Sequence, residues 1–369
     1  MILTTCAACA APLAHDAPRC VRCKARYCDS TCQHDHWRRG HKQICKKLHR
    51  GGNAEQYRAD NKHKEAVAVA VEACADDSKG QTCYICTEAV HWKTKEGLVR
   101  GCSCRGTAGF LHVSCLAEQA KILREEAEEN NLGAKARSAR WLRWHMCSLC
   151  EQNYHGVVRC ARGWACWKTY LGRPETNDIR SMAMTELGNG LFVTDHHADA
   201  LSVREAELSM LRRVGGSEHN ILVVQSNIAS TYYMMERRGE ALRLRRDVYA
   251  RILKLYGEEH EETLIDASNY AMNLLGLKRF EEAKKLLRKV MPVAQRVLGR
   301  DHERTLSLRE DFARAMLQGD SSPVEKRNAL LMLEDTLGVM RHVLGPSHPE
   351  CLRVQGELDS YHWDSPSTA

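Results

Sequence analysis

Long apolar stretches are missing from this 369-residue chain. The run Ala66–Val71 is six residues long, against the ~20 that a membrane-spanning helix needs, so no membrane domain is expected. The opening MILTTCAACAAPL has no basic segment ahead of its small apolar residues, so it does not read as a secretory signal. No Ser-His-Asp arrangement, P-loop or dinucleotide fingerprint occurs, which leaves acyl-transfer, nucleotide and hydride chemistry without residues to carry them. Hydrophobic residues at 43% and charged residues at 27% are ordinary for a globular protein and exclude collagen, coiled-coil rods and wholesale disorder. The length suffices for two or three domains.

Cysteine is what the chain has in excess: 18, with 18 histidines. Seven cysteines lie in residues 6–45 and seven in residues 83–150, leaving Cys74, Cys160, Cys166 and Cys351 outside. Without a secretory signal, closely paired cysteines point to metal rather than to disulfides. Metal also changes the charge. The formal net charge is +7, and residues 1–50, with ten Lys/Arg against three Asp, already account for it. Four Zn²⁺ on fourteen thiolates would bring the chain to about +1. The basic pI therefore mostly reflects counting thiols as neutral, and a nucleic-acid partner is not expected.

The expected organisation is a cysteine block at 1–50, a helical linker at 51–80, a second cysteine block at 81–151, a junction at 152–175, helical repeats at 176–361 and a flexible tail at 362–369. The repeats show in recurring marks. Gly-x-x-His appears at Gly216/His219, Gly257/His260, Gly299/His302 and Gly345/His348. Asn227-Ile228-Ala229 recurs as Asn269-Tyr270-Ala271 and Asp311-Phe312-Ala313. A period near 42 with two helices per unit predicts an all-α solenoid. Each glycine should end a second helix and each histidine should start the next first helix; the histidines could also be read as metal ligands, but their spacing favours helix starts. Ile228, Tyr232, Met235, Ala241, Leu244, Val248 and Ile252 should pack between helices. The pattern resembles the tetratricopeptide repeats of kinesin light chains from about residue 172 to 361. That resemblance implies a protein-binding surface, with Asn227 and Asn269 as candidate peptide contacts.

The first block runs Cys6-x2-Cys9, Cys20-x2-Cys23, Cys28-x3-Cys32 and His41-x3-Cys45. Eight soft ligands in four close pairs suit two tetrahedral zinc sites. With Tyr27-Cys28-Asp29-Ser30-Thr31-Cys32-Gln33 and His36-Trp37, the block resembles the MYND finger. That resemblance implies interleaved ligation: Cys6, Cys9, Cys28 and Cys32 on one zinc; Cys20, Cys23, His41 and Cys45 on the other. It also makes Gln33 and Trp37 candidate contacts for a proline-rich peptide; Trp37 covering a small core is the alternative. His34 and His36 are expected to be exposed. The basic helix Arg38–Arg50 reads as a solvated face.

The second block runs Cys83-x2-Cys86, Cys102-x-Cys104, His112-x2-Cys115 and Cys147-x2-Cys150. The segment from Cys102-Ser103-Cys104-Arg105-Gly106 to His112-Val113-Ser114-Cys115 resembles the RING-CH finger of membrane-associated ubiquitin ligases. The resemblance implies Cys83, Cys86, His112 and Cys115 on one zinc and Cys102, Cys104, Cys147 and Cys150 on another. It also implies Ile85 as a docking residue for a ubiquitin-conjugating enzyme. Gln119 stands where the family has tryptophan, the spacer before Cys147 is long, and no membrane spans follow. Trp141 and Trp144 are candidates for the missing aromatic. Cys160 and Cys166 beside His155 could form a fifth metal site or belong to the core, and the five-residue gap favours the core.

The expected protein is intracellular, cytoplasmic or nuclear. It is α-rich, with two cross-brace zinc fingers before a tetratricopeptide-like solenoid. It binds four Zn²⁺ and protein partners. Its expected activity is ubiquitin transfer by scaffolding, with no catalytic nucleophile. The alternative is a non-catalytic adaptor in which both fingers are structural.

Overall fold

The computed structural model describes residues 5–11, 13 and 16–363, without the side chains of His362 and Trp363. The expected tail thus lies almost wholly outside the described residues. Among the described residues there is no strand, only isolated bridges at Arg19↔Arg26, Val99↔Leu111 and Met146↔Asn153. Each bridge closes a loop that carries a cysteine pair. None of the described helices is long and apolar enough to cross a membrane. The chain forms two compact units, Met1–Gly216 and Ser217–Ala369.

In the first unit, α1 (Ser30–His36) and α2 (Lys42–Arg50) flank a wide-turned stretch, Trp37–His41, where Gly40 leaves the helical path at φ +119°. Asp29 caps α1 by accepting the Cys32 N–H at 2.8 Å. Asn53 caps α3 (Ala54–Ala73) by accepting the Gln56 N–H at 2.9 Å. The spacer between Cys115 and Cys147 folds into α4 (Val113–Glu129) and α5 (Ala134–Trp141). Next come α6 (Gly156–Tyr170), α7 (Asp178–Phe192) and α8 (His197–Val214). The stretch expected as a linker is part of the interior: Ala59, Val67 and Ala70 of α3 are buried in the same core as the second cysteine block, α6 and α7. Two glycines allow α6 and α7 to approach closely. A Cβ on Gly163 would lie 2.8 Å from the Glu186 carbonyl oxygen, and one on Gly190 would lie 2.9 Å from the Cys160 Cα.

The second unit holds α9 (Glu218–Met234), α10 (Arg238–Tyr256), α11 (Glu261–Gly276), α12 (Phe280–Val297), α13 (Glu303–Gln318), α14 (Pro323–Val343) and α15 (Pro349–Trp363). Successive helices pack together, and α11 also touches α9 and α13, as stacked hairpins do. Ile228, Ala241, Val248 and Ile252 are buried as the periodicity predicts, and Leu244 is partly buried; Tyr232 and Met235, expected beside them, are only half-buried at the end of α9. His260 and His302 start their helices as expected: each ring nitrogen accepts a backbone N–H, from Glu262 and Arg304, at 3.2 Å. The first mark departs from the pattern. Gly215, not Gly216, takes the left-handed conformation after α8 at φ +71°. Ser217 rather than His219 caps α9, and His219 packs edge-on against Tyr256. A buried polar network ties α9, α10 and α11 together. Arg245 donates to Ser230 at 2.7 Å, to Asp266 at 3.3 Å and also to Ser226, while Ser226 donates to Asp266 at 2.6 Å. Burial without these partners would destabilise the fold, because desolvation of a charge must be offset by pairing and hydrogen bonds.

Candidate metal centres

Four cysteine pairs are shaped by the same turn. Cys6, Cys20, Cys83 and Cys147 each donate their N–H to a carbonyl five residues on and accept at their own carbonyl from the residue four on. That fourth residue is Ala10, Lys24, Thr87 or Glu151, and each has φ between +55° and +64°. The turn points both thiols to one side. In three turns the cysteine sulfur also accepts a backbone N–H at 3.4 Å, from Ala8, Ile85 and Leu149. The partner ligands come largely from helix starts: Cys32 lies in the first turn of α1, Cys45 in that of α2, and His112 and Cys115 at the start of α4.

The turns and helices bring four quartets together: Cys6/Cys9/Cys28/Cys32, Cys20/Cys23/His41/Cys45, Cys83/Cys86/His112/Cys115 and Cys102/Cys104/Cys147/Cys150. Within each, the potential ligand atoms all lie within 4.8 Å of one another. Their spacing is that of a tetrahedral zinc site. Arms of ~2.3 Å to sulfur give sulfur–sulfur edges of ~3.8 Å, and a ~2.0 Å arm to nitrogen gives sulfur–nitrogen edges of ~3.5 Å. The Sγ–Sγ distances are 3.6 Å for Cys9–Cys28, 3.7 Å for Cys20–Cys45 and 3.7 Å for Cys104–Cys147. The Sγ–N distances are 3.4 Å for Cys23–His41, 3.3 Å for Cys86–His112 and 3.5 Å for Cys115–His112. All eighteen cysteines are free thiols, so disulfides do not explain the pairing.

The electrostatics also fit a cation. Burial pushes the Cys104 thiol up to about 12, and the neighbouring Cys147 adds to the shift. Burial likewise pushes Cys23 up to about 12. A divalent ion at the centre reverses that balance and holds the ligands as thiolates. The two histidines present different nitrogens: His41 offers Nε2 to Cys23, whereas His112 turns Nδ1 to its cysteines and its Nε2 to the Ala89 carbonyl at 3.4 Å. That carbonyl fixes the ring's tautomer and orientation. Among the described residues no fifth quartet forms. Cys160 and Cys166 are core residues, 7% and 1% exposed.

Of the residues singled out in the sequence, His36 departs from its expected exposure. His36 is half-buried: its Nδ1 sits 3.0 Å from the Tyr27 hydroxyl and its ring stacks on His41 at 4.7 Å. Trp37 leaves 43% of its surface exposed while its ring lies 5.8 Å from that of His41. Gln33 is half-buried, as are Asn227 and Asn269. Trp141 and Trp144 do not fill the missing aromatic place. Both are buried against Tyr170, with ring centroids 5.7 Å away.

The sequence reading missed three residues. Gly109, at φ +84°, lets the loop pass the Cys102 and Cys104 thiols. Glu96 accepts both the N–H and the hydroxyl of Ser114, at 2.6 and 2.9 Å, and so caps α4 beside His112. The third is Trp92. His91-Trp92-Lys93-Thr94-Lys95 copies the cysteine turn without cysteine: His91 donates its N–H to Glu96, Lys95 donates to the His91 carbonyl, and Lys95 has φ +60°. His91 and Thr94 replace the two thiols and bond each other at 2.8 Å. The turn holds Trp92 69% exposed. An x2 spacing between His91 and Thr94 was the available signal.

Residues 6–45 match the family model for the MYND finger, and residues 83–132 that for the RING-variant domain. Residues 220–288 and 262–326 match that for the tetratricopeptide repeat. The RING-variant match ends before Cys147 and Cys150, which the structure brings to Cys102 and Cys104. No curated protein is significantly similar to the chain. Among solved structures, a kinesin-light-chain-type protein of Podosopora anserina with nearly identical TPR-like repeats is 18% identical, covering 63% of this chain and 97% of its own, with a TM-score of 0.39. BtubC from P. vanneervenii is 12% identical, covering 70% of this chain and 94% of its own, with a TM-score of 0.35. The chain thus carries, in order, a MYND finger, a RING-variant domain and tetratricopeptide repeats.

Proposed function

We propose that this protein is a four-zinc ubiquitin ligase of the scaffolding type, working in the cytoplasm or nucleus. The RING-variant finger docks a charged conjugating enzyme; the repeats or the MYND finger hold the substrate. Each quartet above takes one Zn²⁺, whose contribution when bound is to fix the fold of its finger. The chain supplies no nucleophile. It works by holding the thioester of the conjugating enzyme near a substrate amine, which turns a bimolecular encounter into an effectively unimolecular one. Gln33 and Trp37 on the MYND finger, and Asn227 and Asn269 on the repeats, are the proposed peptide contacts.

One observation carries the docking role. An open groove of about 400 Å³ beside the Cys83/Cys86/His112/Cys115 centre is lined by Ile85, Trp92, Ile122 and Leu123 among others. Two turns tied down by backbone hydrogen bonds present Ile85 and Trp92 there: Trp92 is largely exposed, and Ile85 is half-buried, packing on the core with one side and lining the groove with the other. Gln119 lies on the wall of the same groove, and Trp92 provides an indole that the helix position lacks. Gln119 also supports a second reading, a purely structural finger in an adaptor, because its buried Oε1 has no hydrogen-bond partner and is poorly suited to an apolar contact.

Ubiquitin transfer with a panel of conjugating enzymes separates the two. Ile85→Ala removes roughly one aliphatic side chain of contact, ~1.5–3 kcal/mol, or a ~10–150-fold loss of docking affinity. Trp92→Ala should cost at least as much. Both variants should keep their zinc, and Trp92→Ala its melting temperature as well, while chain formation falls to background; Ile85→Ala should melt slightly lower because it also loses packing on the core. Absence of transfer by the wild type with every enzyme of the panel leaves the adaptor.

A further inference from the structure

A second cavity of the first unit has no part in that scheme. It measures about 840 Å³ and lies between the Cys20–Cys23 turn of the MYND finger, the start of α3, the loop after α6, and helices α7 and α8. Six cationic side chains line it: Arg19, Lys24, Arg26, Arg173, Arg180 and Arg213. They face three carboxylates, Glu55, Glu175 and Glu205. Glu55 is paired with Arg180 at 3.4 Å and Glu175 with Arg213 at 2.7 Å. Among the described residues no carboxylate oxygen lies within 4.0 Å of Arg19 or Lys24, so positive charge remains in excess at the finger's edge.

The placement of Arg19 and Arg26 is the second observation. They are direct partners across the antiparallel bridge that closes the Cys20–Cys23 turn. Like charges directly opposite across a bridge oppose the pairing. Glu55 acts on both guanidinium groups and offsets part of that repulsion, but it is itself paired with Arg180; an incoming anion reaching Arg19 would offset more of it, and planar guanidinium forks suit carboxylate or phosphate oxygens. The floor is apolar: Leu171, Met184, Leu201 and Met210 line it and are at most 8% exposed. Among the described residues no aromatic side chain lines the cavity, so they offer an unpaired base nothing to stack on. The wall glutamates would also repel a continuous polyanion.

We propose that this cavity binds an acidic peptide, with one anionic side chain on the Arg19–Arg26 pair and a neighbouring apolar side chain over Leu201 and Met210. The anion is a glutamate or aspartate carboxylate or a phosphorylated serine or threonine. This role does not depend on ligase activity and gives the MYND finger a binding edge made with its own helical support.

The test is fluorescence polarisation of the full-length, zinc-loaded protein with three short labelled peptides that alternate leucine with glutamate, glutamine or phosphoserine. The glutamate or phosphoserine peptide should bind at least about tenfold more tightly than the glutamine peptide, and rising salt should weaken that binding. A tighter phosphoserine peptide identifies phosphate as the preferred group, and a tighter glutamate peptide identifies carboxylate. Arg19→Gln/Arg26→Gln should lose about tenfold or more of that affinity with zinc content unchanged. If the double variant loses zinc, Ser209→Glu decides: it adds a carboxylate to the cavity from α8, a helix that carries none of the ligand residues, and should weaken binding. Equal affinity for all three peptides, full affinity in the variants, or tighter binding of a labelled single-stranded oligonucleotide overturns the proposal.

Discussion

Gly109 marks how little room the second cysteine block has. A Cβ there would lie 2.6 Å from the Cys104 Cβ and 3.1 Å from the Cys102 Sγ, at a φ of +84° that L side chains resist. Gly109→Ala keeps every ligand but displaces two, so the protein should lose the zinc of that quartet by elemental analysis; full zinc with unaltered melting would show that the loop relaxes freely. Asp311 makes a different case. Burial pushes its carboxyl up to about 7, with Glu310 adding and Arg314 opposing. A carboxyl raised above its unfolded value of 3.8 favours the fold while protonated. Its contribution is therefore full below that value and is lost as pH rises through about 7. Asn227 and Asn269 hold the same repeat position without this penalty. Asp311→Asn keeps an acceptor for the Ser268 hydroxyl at 3.2 Å and removes the ionisation. Followed by helical circular dichroism in chelator, its repeats should melt above wild type at pH 8.5 and alongside it near pH 4. Equal melting at pH 8.5 would contradict the buried charge. Residues of this kind were hidden from the sequence: Asp311 is visible as a departure from the repeat's asparagine, but its burial depends on the neighbouring helices.

At the scale of elements, close helix packing separates glycines that fit from glycines that merely occur. A Cβ on Gly163 would lie 2.8 Å from α7 backbone, whereas one on Gly338 in α14 would meet nothing within 4 Å. Gly163→Ala should destabilise the first unit by ~1–3 kcal/mol through overpacking. Gly338→Ala should stabilise the second by ~0.5–1 kcal/mol through helix propensity. Thermal melts of the two variants should shift in opposite directions; a stabilised Gly163→Ala would show that α6 and α7 are not in close contact. Elements were the most legible level. The short spacing of Cys6/Cys9, Cys20/Cys23, Cys83/Cys86 and Cys147/Cys150 forces a tight turn whatever surrounds it, and His260 and His302 announced helix starts, although His219 did not. What could not be read was packing between distant elements. The α3 stretch looked like a linker because its buried face is mostly alanine and valine at weakly amphipathic spacing, and its burial depends on α6, almost 90 residues away. Trp92 escaped notice because its turn has the cysteine geometry with His91 and Thr94 in place of the thiols.

At the scale of the whole molecule, the first unit is organised around side chains that a hydrophobic core alone would not hold in place. Cys83, Cys102, Cys115 and Cys147 are buried within the same core as α3, α6 and α7, so the metal centres and the apolar interior are one structure. The groove beside Ile85 and the basic cavity beside Arg19 both border ligand turns, and both proposed roles need those turns fixed. The account therefore stands first on metal stoichiometry. Native mass spectrometry of the full-length protein, purified without added metal or chelator, measures it directly. Four Zn²⁺ per chain is the expected result, one for each quartet of ligand atoms within 4.8 Å; a chain that is folded and carries two or fewer would contradict it.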